Sequence, residues 1–279
     1  MPADLFDLTG KVAIITGSSR GIGLASARRM AQHGAKVVIS GRKADACIAA
    51  AAQINAECSS PAGTTQGAGA APSAGTTQAG GAAIAVAANI GRREDLQNLV
   101  DTAVATWGRV DIVMANAAIH PWVGSVLDLP DETFNKFMQV NVQSSIWLAK
   151  MTVPGMLARG YGRFIVVASI VGLLGDPSTG TYGLTKAADM QFVRNMAMEF
   201  AARGICANCI APGTFKTEMA RSQWEDPEQV AWYSRRNPSR RFGELDEISG
   251  LAVLLASRAG GYINGQTIPV DGGHTISFR

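Results

Sequence analysis

The most constraining feature of this sequence is the regular alternation of short apolar segments with longer segments of helical periodicity. Strands buried on both faces of a parallel sheet read as continuous apolar runs, as these segments do. Because parallel neighbours need crossover connections, the pattern predicts an α/β, Rossmann-type, doubly wound, seven-stranded parallel sheet with helices on both faces. The predicted strands are Val12–Thr16, Lys36–Ser40, Ala83–Ala87, Asp111–Ala115, Phe164–Ala168, Cys206–Ile210 and Thr267–Val270.

The segments between these strands have helical periodicity, and nothing in the chain marks a second domain, so residues 1–279 are predicted to form a single domain. One stretch, Ser59–Gly81, consists almost entirely of small and polar residues and contains AGTTQ twice. It has no apolar anchor, which predicts a flexible surface loop, either a plain linker or a partner-binding arm. The predicted helices are Gly23–His33, Lys43–Glu57, Arg92–Trp107, Asp131–Arg159, Thr181–Arg203 and Leu245–Ser257.

Composition and charge argue against several classes of protein. The formal net charge is +3 and no basic cluster is interleaved with aromatic residues, which argues against a nucleic-acid partner. No apolar run approaches the roughly 20 residues that span a bilayer, and the first residues do not resemble a signal peptide, so a cytoplasmic protein without membrane contact is expected. Cys206 and Cys209 have metal or redox spacing, but on a strand they would face opposite sides, so no metal site is predicted.

The segment TGSSRGIG, Thr16–Gly23, lies between the first strand and the first helix. Gly17 permits a tight turn, Gly21 allows the backbone to approach a pyrophosphate, and Gly23 allows the helix to pack close to the sheet. The free N–H groups of the helix N-terminus favour phosphate binding, although a glycine-rich turn without a ligand is the alternative. Ser19, Arg20 and Ile22 of the same turn are the further candidate cofactor-binding residues.

The residues after the second strand indicate which dinucleotide binds. An acidic residue there would bind the ribose 2′-hydroxyl of NAD, but this chain has Ser40-Gly41-Arg42-Lys43. Arg42 and Arg20 can both reach that corner, and a guanidinium group suits a phosphate. The prediction is NADP(H), with NAD(H) as the less favoured cofactor, and ordinary surface cations as the alternative explanation of these arginines.

Several further motifs occur in a fixed order: ANAA at Ala115–Ala118, Asn141 in VNVQ, Ser169 in VVASI, Tyr182-x-x-x-Lys186, Pro212-Gly213 with Thr217, and Asp271-Gly272-Gly273. Together with the glycine turn, they make nearly the whole chain outside Ser59–Gly81 resemble the short-chain dehydrogenases/reductases. Two positions depart from that family. It commonly has Asn-Asn-Ala-Gly where this chain has ANAA, and Asn89 stands where the family has an adenine-contacting Asp.

Tyr182 and Lys186 are four residues apart in a predicted helix and therefore share one face. Because a nearby ammonium lowers the pKa of a phenol, Tyr182 is predicted to exchange a proton with the substrate oxygen. Ser169, at the end of the fifth strand, would hold the substrate carbonyl. The resemblance implies that Lys186 also binds the nicotinamide ribose and that Asn141 positions a water molecule. It also implies cofactor contacts by Asn89, Ile90, Asn116, Pro212, Gly213 and Thr217.

The substrate is expected to meet three loops, Ile119–Leu129, Ile170–Thr181 and Phe215–Arg236. Their apolar and aromatic residues would either line an apolar pocket or pack elsewhere, and His120 would either contact substrate or be solvated. The sequence predicts an oxidoreductase acting on a small carbonyl or alcohol, with two alternatives: a 3-oxoacyl-thioester reductase and a non-catalytic nucleotide-binding regulatory protein. The resemblance implies a homo-oligomer, a tetramer or a dimer. The loop residues concerned are Trp122, Leu173, Leu174, Trp224, Trp232 and Tyr233. The nearby arginines that could meet an acidic group are Arg235, Arg236, Arg240 and Arg241, of which Arg241 resembles part of a structural turn of the family and is not counted as a substrate contact.

Overall fold

The computed structural model describes residues 4–59 and 81–277. Within these residues, seven parallel strands form one sheet in the order β3-β2-β1-β4-β5-β6-β7, which confirms the predicted doubly wound fold. The strands are β1 Val12–Ile15, β2 Lys36–Gly41, β3 Ala82–Ala87, β4 Ile112–Ala115, β5 Gly162–Val167, β6 Ile205–Pro212 and β7 Thr267–Val270.

The strand order reverses at β1, and this reversal positions the functional site. β1 pairs with β2 on one side, where Val12 lies opposite Lys36, and with β4 on the other, where Ala13 lies opposite Ile112. The chain therefore leaves β1 and β4 in opposite directions, which opens a crevice at their carboxyl ends. Ligands of open α/β sheets bind at such a switch point.

Helices cover both faces of the sheet. Helices α1, α2 and α9 pack on one face through residues such as Met30, Ile54 and Ile248, and α3, α5 and α6 pack on the other through Leu99, Leu148 and Val193. All these side chains are buried, and the central strands between the two helix layers are buried on both faces. The helices are α1 Gly21–Gln32, α2 Ala44–Ser59, α3 Arg93–Trp107, α4 Asp131–Phe137, α5 Ser144–Arg159, α6 Gly180–Phe200, α7 Arg221–Trp224, α8 Pro227–Arg236 and α9 Leu245–Ala256.

Two predictions of secondary structure were wrong. The helix predicted over Asp131–Arg159 is divided into α4 and α5 by a π-helical segment, Met138–Gln143, which apolar periodicity does not reveal. The predicted loop Phe215–Arg236 contains α7 and α8. Helix α8 had a recognisable start signal, because the side chain of Asp226 accepts a hydrogen bond from Glu228 N and a proline occupies the first helical position.

The small-residue segment Ser59–Gly81 lies almost entirely outside the described residues. Ser59 ends α2, and Gly81 directly precedes β3. No described helix is both long enough and apolar enough to cross a bilayer.

Candidate active site

A cleft of about 920 Å³ opens at the carboxyl ends of the strands, at the switch point between β1 and β4. Most of the predicted site residues line it, although they come from distant parts of the sequence. Gly23, Asn141 and Lys186 are not in its wall. The predicted residues in the wall are Gly17, Ser19, Arg20, Gly21, Ile22, Arg42, Asn89, Ile90, Asn116, Ser169, Tyr182, Pro212, Gly213 and Thr217.

The turn after β1 is held in place from two sides. Thr16 Oγ1 accepts hydrogen bonds from Asn116 N and Ala117 N, and Asn116 Nδ2 donates to the carbonyls of Thr16 and Gly17. On the other side, Ser18 Oγ donates to Ile15 O and accepts from Ser40 N. The side chain of Asn116 therefore fixes the turn. Thr16 and Ser18 also hold it, and the sequence pattern did not indicate these roles.

The N-terminus of α1 is available for an anion. Arg20 at its N-cap makes no side-chain capping bond, and the first turn contains no acidic residue. Gly17 and Gly21 have positive φ, of 64° and 58°, which aims the backbone of the turn into the cleft. Thr217 lies against Gly21 and closes the far side. Backbone N–H groups without a capping partner fit a pyrophosphate, so this part of the cleft suits a dinucleotide.

The corner of the cleft at the end of β2 is cationic. Arg20 and Arg42 are both exposed and both line the cleft, and neither forms an ion pair with another described residue. Two unpaired guanidinium groups suit a phosphate on the adenosine ribose. At Asn89, Oδ1 accepts from Gly91 N, which leaves the amide nitrogen available to a base.

Ser169 and Tyr182 are brought together by a close contact between two elements. Ser169 begins a tight turn after β5, and its Oγ accepts from Val171 N. That turn lies directly on α6, because a Cβ atom at Gly172 would approach Lys186 C and Ala187 N to 2.9 Å, and one at Gly183 would approach Val171 O to 2.6 Å. The two glycines allow this contact, so that Ser169 and Tyr182 reach the same cleft.

Lys186 lies behind Tyr182 and is almost fully buried. Its Nζ donates to Val167 O at 2.9 Å and to Asp189 Oδ2 at 3.1 Å, and it lies 5.6 Å from the centre of the Tyr182 ring. The lysine therefore acts on the cleft from beneath the tyrosine.

Asn141 connects two walls of the cleft. Its side chain pairs with Ile119, accepting from Ile119 N and donating to Ile119 O, and it also donates to Thr185 Oγ1. Thr185 in turn donates to Tyr182 O. Asn141 belongs to the π-helical segment, and insertions of this kind re-aim side chains at functional sites. The structure thus places Asn141 as the link between the loop after β4 and the helix of Tyr182.

His120 stands in the cleft beside Tyr182, with 4.8 Å between the ring centres. Partial burial lowers the pKa of His120 below its usual value, although Asp176 opposes the shift. The imidazole is therefore mainly neutral at pH 7 and can donate or accept a hydrogen bond.

The sequence left open whether the apolar and aromatic loop residues line the pocket or pack elsewhere, and none of the six named above lines the cleft. Tyr233 stacks on Phe242 inside the protein, and Trp224 Nε1 donates to Thr217 O. The four arginines at positions 235, 236, 240 and 241 are also absent from the cleft wall. Arg236 stacks on Trp232, and Arg241 forms a two-armed ion pair with Glu247. Tyr233, Trp224, Arg236 and Arg241 thus contact neighbouring residues of the protein outside the cleft wall.

The two cysteines with metal or redox spacing lie on a strand, as the sequence indicated. Cys206 and Cys209 are both buried free thiols on β6; Cys206 Sγ donates to Gly261 O. Within residues 4–59 and 81–277, no cluster of three or more His, Cys, Asp or Glu side chains could hold a metal ion.

Fold, cleft and motifs together define a dinucleotide-binding oxidoreductase, and comparison with known proteins places the chain in the short-chain dehydrogenase/reductase family. It matches the family model described as short chain dehydrogenase over residues 11–74, and the one described as enoyl-(acyl carrier protein) reductase over residues 62–275. The chain belongs to this family and is an oxidoreductase, as predicted.

Among individual relatives, the chain is 37% identical to dehydrogenase/reductase SDR family member 4 of Bos taurus, over 95% of this chain and 88% of that protein. It is 32% identical to gluconate 5-dehydrogenase of Gluconobacter oxydans, over 99% and 98%. A gluconate 5-dehydrogenase from Burkholderia cenocepacia, solved in complex with NADP and tartrate, superimposes with a TM-score of 0.84 at 32% identity, covering 99% of both chains.

Proposed function

We propose that this protein is an NADP(H)-dependent oxidoreductase that interconverts a carbonyl compound and its alcohol, with Tyr182 as general acid and base. The observation that carries the proposal is that Ser169 and Tyr182 line the same cleft as the uncapped N-terminus of α1. Arg20 and Arg42 support the choice of NADP(H), in agreement with the NADP bound by the structural relative.

In this proposal the nicotinamide supplies or accepts the hydride at the substrate carbon. Ser169 Oγ holds the substrate oxygen by a hydrogen bond and stabilises its developing negative charge. The hydroxyl of Tyr182 delivers a proton to that oxygen during reduction and removes it during oxidation. Lys186 acts through Tyr182, because an ammonium beside a phenol favours the phenolate form. The overall reaction is RR′C=O + NADPH + H⁺ to RR′CHOH + NADP⁺.

Polar side chains contribute to the cleft wall, and they favour a polar substrate. His120 stands against Tyr182, and Gln223 and Glu218 also line the cleft. We infer that a neutral His120 contacts a second oxygen of the substrate, one carbon or more from the reacting carbonyl. A hydroxylated carbonyl compound fits this arrangement, and one relative acts, by its name, on gluconate.

The reaction is tested with NADPH that carries deuterium at the transferred position, offered with ketones, aldehydes, hydroxyketones and acyl thioesters. We expect deuterium at the carbinol carbon of the product, detected by mass spectrometry, with hydroxyketones turned over fastest. Turnover restricted to 3-oxoacyl thioesters would establish the alternative reductase instead. Binding of NADPH without turnover of any compound would point to the non-catalytic regulatory alternative.

Replacing Arg42 by Asp tests the cofactor preference. A hydrogen bond to a charged group contributes roughly 1.5–3 kcal/mol, so we expect the NADPH dissociation constant to rise by a factor on the order of 10 to 100 while that of NADH changes much less. Isothermal titration with both cofactors measures the ratio. Arg203→Asp is the matched control. Arg203 is an exposed arginine just before β6 and therefore lies at the amino ends of the strands, whereas the cleft lies at their carboxyl ends. An equal loss of NADPH affinity in both variants would contradict the assignment.

The predicted homo-oligomer is part of the same proposal. Leu184 and Met198 on α6 are exposed, Met198 to 89%, and a partner helix would cover them.

A further inference from the structure

Asp189 is a buried carboxylate for which the mechanism above has no use. It lies three residues after Lys186 on α6 and is fully inaccessible to solvent. Its Oδ2 accepts a hydrogen bond from Lys186 Nζ, whereas its Oδ1 has no hydrogen-bond partner among the described residues. Removing a carboxylate from water is expensive unless its charge is compensated, so this placement needs a reason.

The charge that compensates Asp189 is that of Lys186. Burial, the largest influence, acts to lower the pKa of Lys186, but Asp189 foremost, followed by Tyr182, outweighs it, so the pKa lies above lysine's ordinary 10.5. Burial raises the pKa of Asp189 from its ordinary 3.8, against the opposing effect of Lys186. Each group thus opposes the effect of burial on the other, as expected of an ammonium and a carboxylate in hydrogen-bond contact.

Few other charged or titratable groups act on this pair. Tyr182 faces it from the same helix, and Cys209 faces it from β6. Burial first and Asp189 second raise the pKa of Cys209, which keeps that thiol neutral throughout the working range. Arg194, one turn further along α6, acts on Cys209. Asp189 is therefore the principal negative charge that acts on Lys186.

The pair also restricts the direction of the ammonium group. Of its three N–H bonds, one is taken by Val167 O at the end of β5 and one by Asp189. The Tyr182 ring centre lies 5.6 Å from Nζ. Two fixed partners, on β5 and α6, leave one N–H of the ammonium for a further acceptor.

We propose that Asp189 is a positioning residue of this active site, which keeps Lys186 in its ammonium form and directs that ammonium toward Tyr182. The proposal rests on the proposed function in taking Tyr182 as the proton donor. It predicts that the charge of Asp189, rather than its volume, sets the upper end of the pH range over which the enzyme reduces carbonyls.

The test compares three variants with the wild type. Asp189→Asn keeps the shape and loses the charge, and Asp189→Glu keeps the charge. Asp111→Asn is the matched control. Asp111 is equally buried and forms ion pairs with Arg109 and Arg159. It precedes β4, so it lies at the amino ends of the strands, away from the cleft. The first readout is the pKa of Lys186 from carbon NMR of labelled lysine side chains, with Lys186→Arg to assign the resonance. The second is the pH profile of carbonyl reduction at saturating NADPH.

We expect Asp189→Asn to lower the pKa of Lys186 by about one unit or more, because removing an adjacent anion lowers the pKa of any neighbouring cationic acid. The alkaline limb of the reduction profile should move to lower pH with it. In Asp189→Glu, which keeps the charge, both the pKa of Lys186 and the alkaline limb should stay close to their wild-type values. Asp111→Asn should lower thermal stability and leave both of these quantities unchanged.

The two readouts separate this proposal from the proposed function. A pKa of Lys186 that is unchanged in folded Asp189→Asn overturns the role of Asp189, whatever the turnover. An alkaline limb that moves equally in Asp111→Asn also overturns it, because the effect would then be one of stability. If no carbonyl compound is reduced by the wild type, the proposed function fails, and the NMR titration still decides whether Asp189 keeps Lys186 charged.

Discussion

Replacing Tyr182 by Phe is expected to reduce kcat for carbonyl reduction by a factor on the order of 10² to 10⁴, the usual contribution of a positioned proton donor. The substitution removes one oxygen atom from the cleft wall and leaves the ring beside His120. The dinucleotide is proposed to bind at α1 and at Arg42, which this substitution leaves unchanged. NADPH affinity should therefore change little, and the loss should appear in kcat. Stopped-flow reduction and fluorescence titration of NADPH measure the two quantities.

Tyr262→Phe is the matched control for that experiment. Tyr262 is fully exposed, and its replacement removes the same hydroxyl from a surface position outside the cleft wall. Its kcat should equal that of the wild type. Turnover in Tyr182→Phe within a few-fold of the wild type, with intact folding, would show that the proton comes from another group. His120 would then be the next donor to examine, because its ring centre lies 4.8 Å from that of Tyr182.

Replacing Gly23 by Ala is expected to cost most of the affinity for NADPH. A Cβ atom there would lie 2.5 Å from Gly17 O and 2.6 Å from Asn116 Nδ2, so the turn and the amide that holds it must both move. Overpacking of this kind typically costs about 1–3 kcal/mol of stability. Because the turn presents its backbone to the phosphates, we expect the NADPH dissociation constant to rise by a factor on the order of 100, equivalent to roughly 2.7 kcal/mol. Chemical denaturation and calorimetric titration provide the measurements.

Gly250→Ala provides the comparison. Gly250 is an exposed helical glycine in α9, and a Cβ atom there would meet nothing within 4 Å. Replacing an open helical glycine by alanine should stabilise the protein by about 0.5–1 kcal/mol and leave NADPH binding unchanged. If Gly23→Ala behaves in the same way as Gly250→Ala, the turn does not bind the cofactor through the geometry described above.

The strands and the phosphate turn could be predicted from the sequence because their signals are local. A strand such as Val12–Ile15 is buried on both faces and therefore reads as an apolar run. The glycines of the turn are needed for steric reasons wherever a strand, a tight turn and a helix follow one another in this way. The division at Met138–Gln143 could not be predicted, because a π-helical insertion keeps the apolar pattern of a helix. Helix α8 could have been found from Asp226 and the proline after it.

The candidate site shows a similar division. The sequence identified fourteen residues that the structure places in the cleft wall, from Gly17 at its beginning to Thr217 near its end. It left the place of the aromatic loop residues open, because whether Tyr233 faces a cleft or stacks on Phe242 depends on how α8 packs. It also could not identify the contact of His120 with Tyr182, which joins positions 62 residues apart.

The sequence by itself determined the doubly wound sheet, the family and the chemical types of the residues at the cleft, because periodicity, glycine placement and ordered motifs are properties of neighbouring positions. Only the tertiary structure decided how those residues act on one another. It placed Lys186 beneath Tyr182 rather than in the cleft wall, and Asp189 behind Lys186 without access to water. The physical reason is that burial and charge compensation depend on the elements packed around a side chain, and here those elements, β5 and β6, are separated from Tyr182 along the chain.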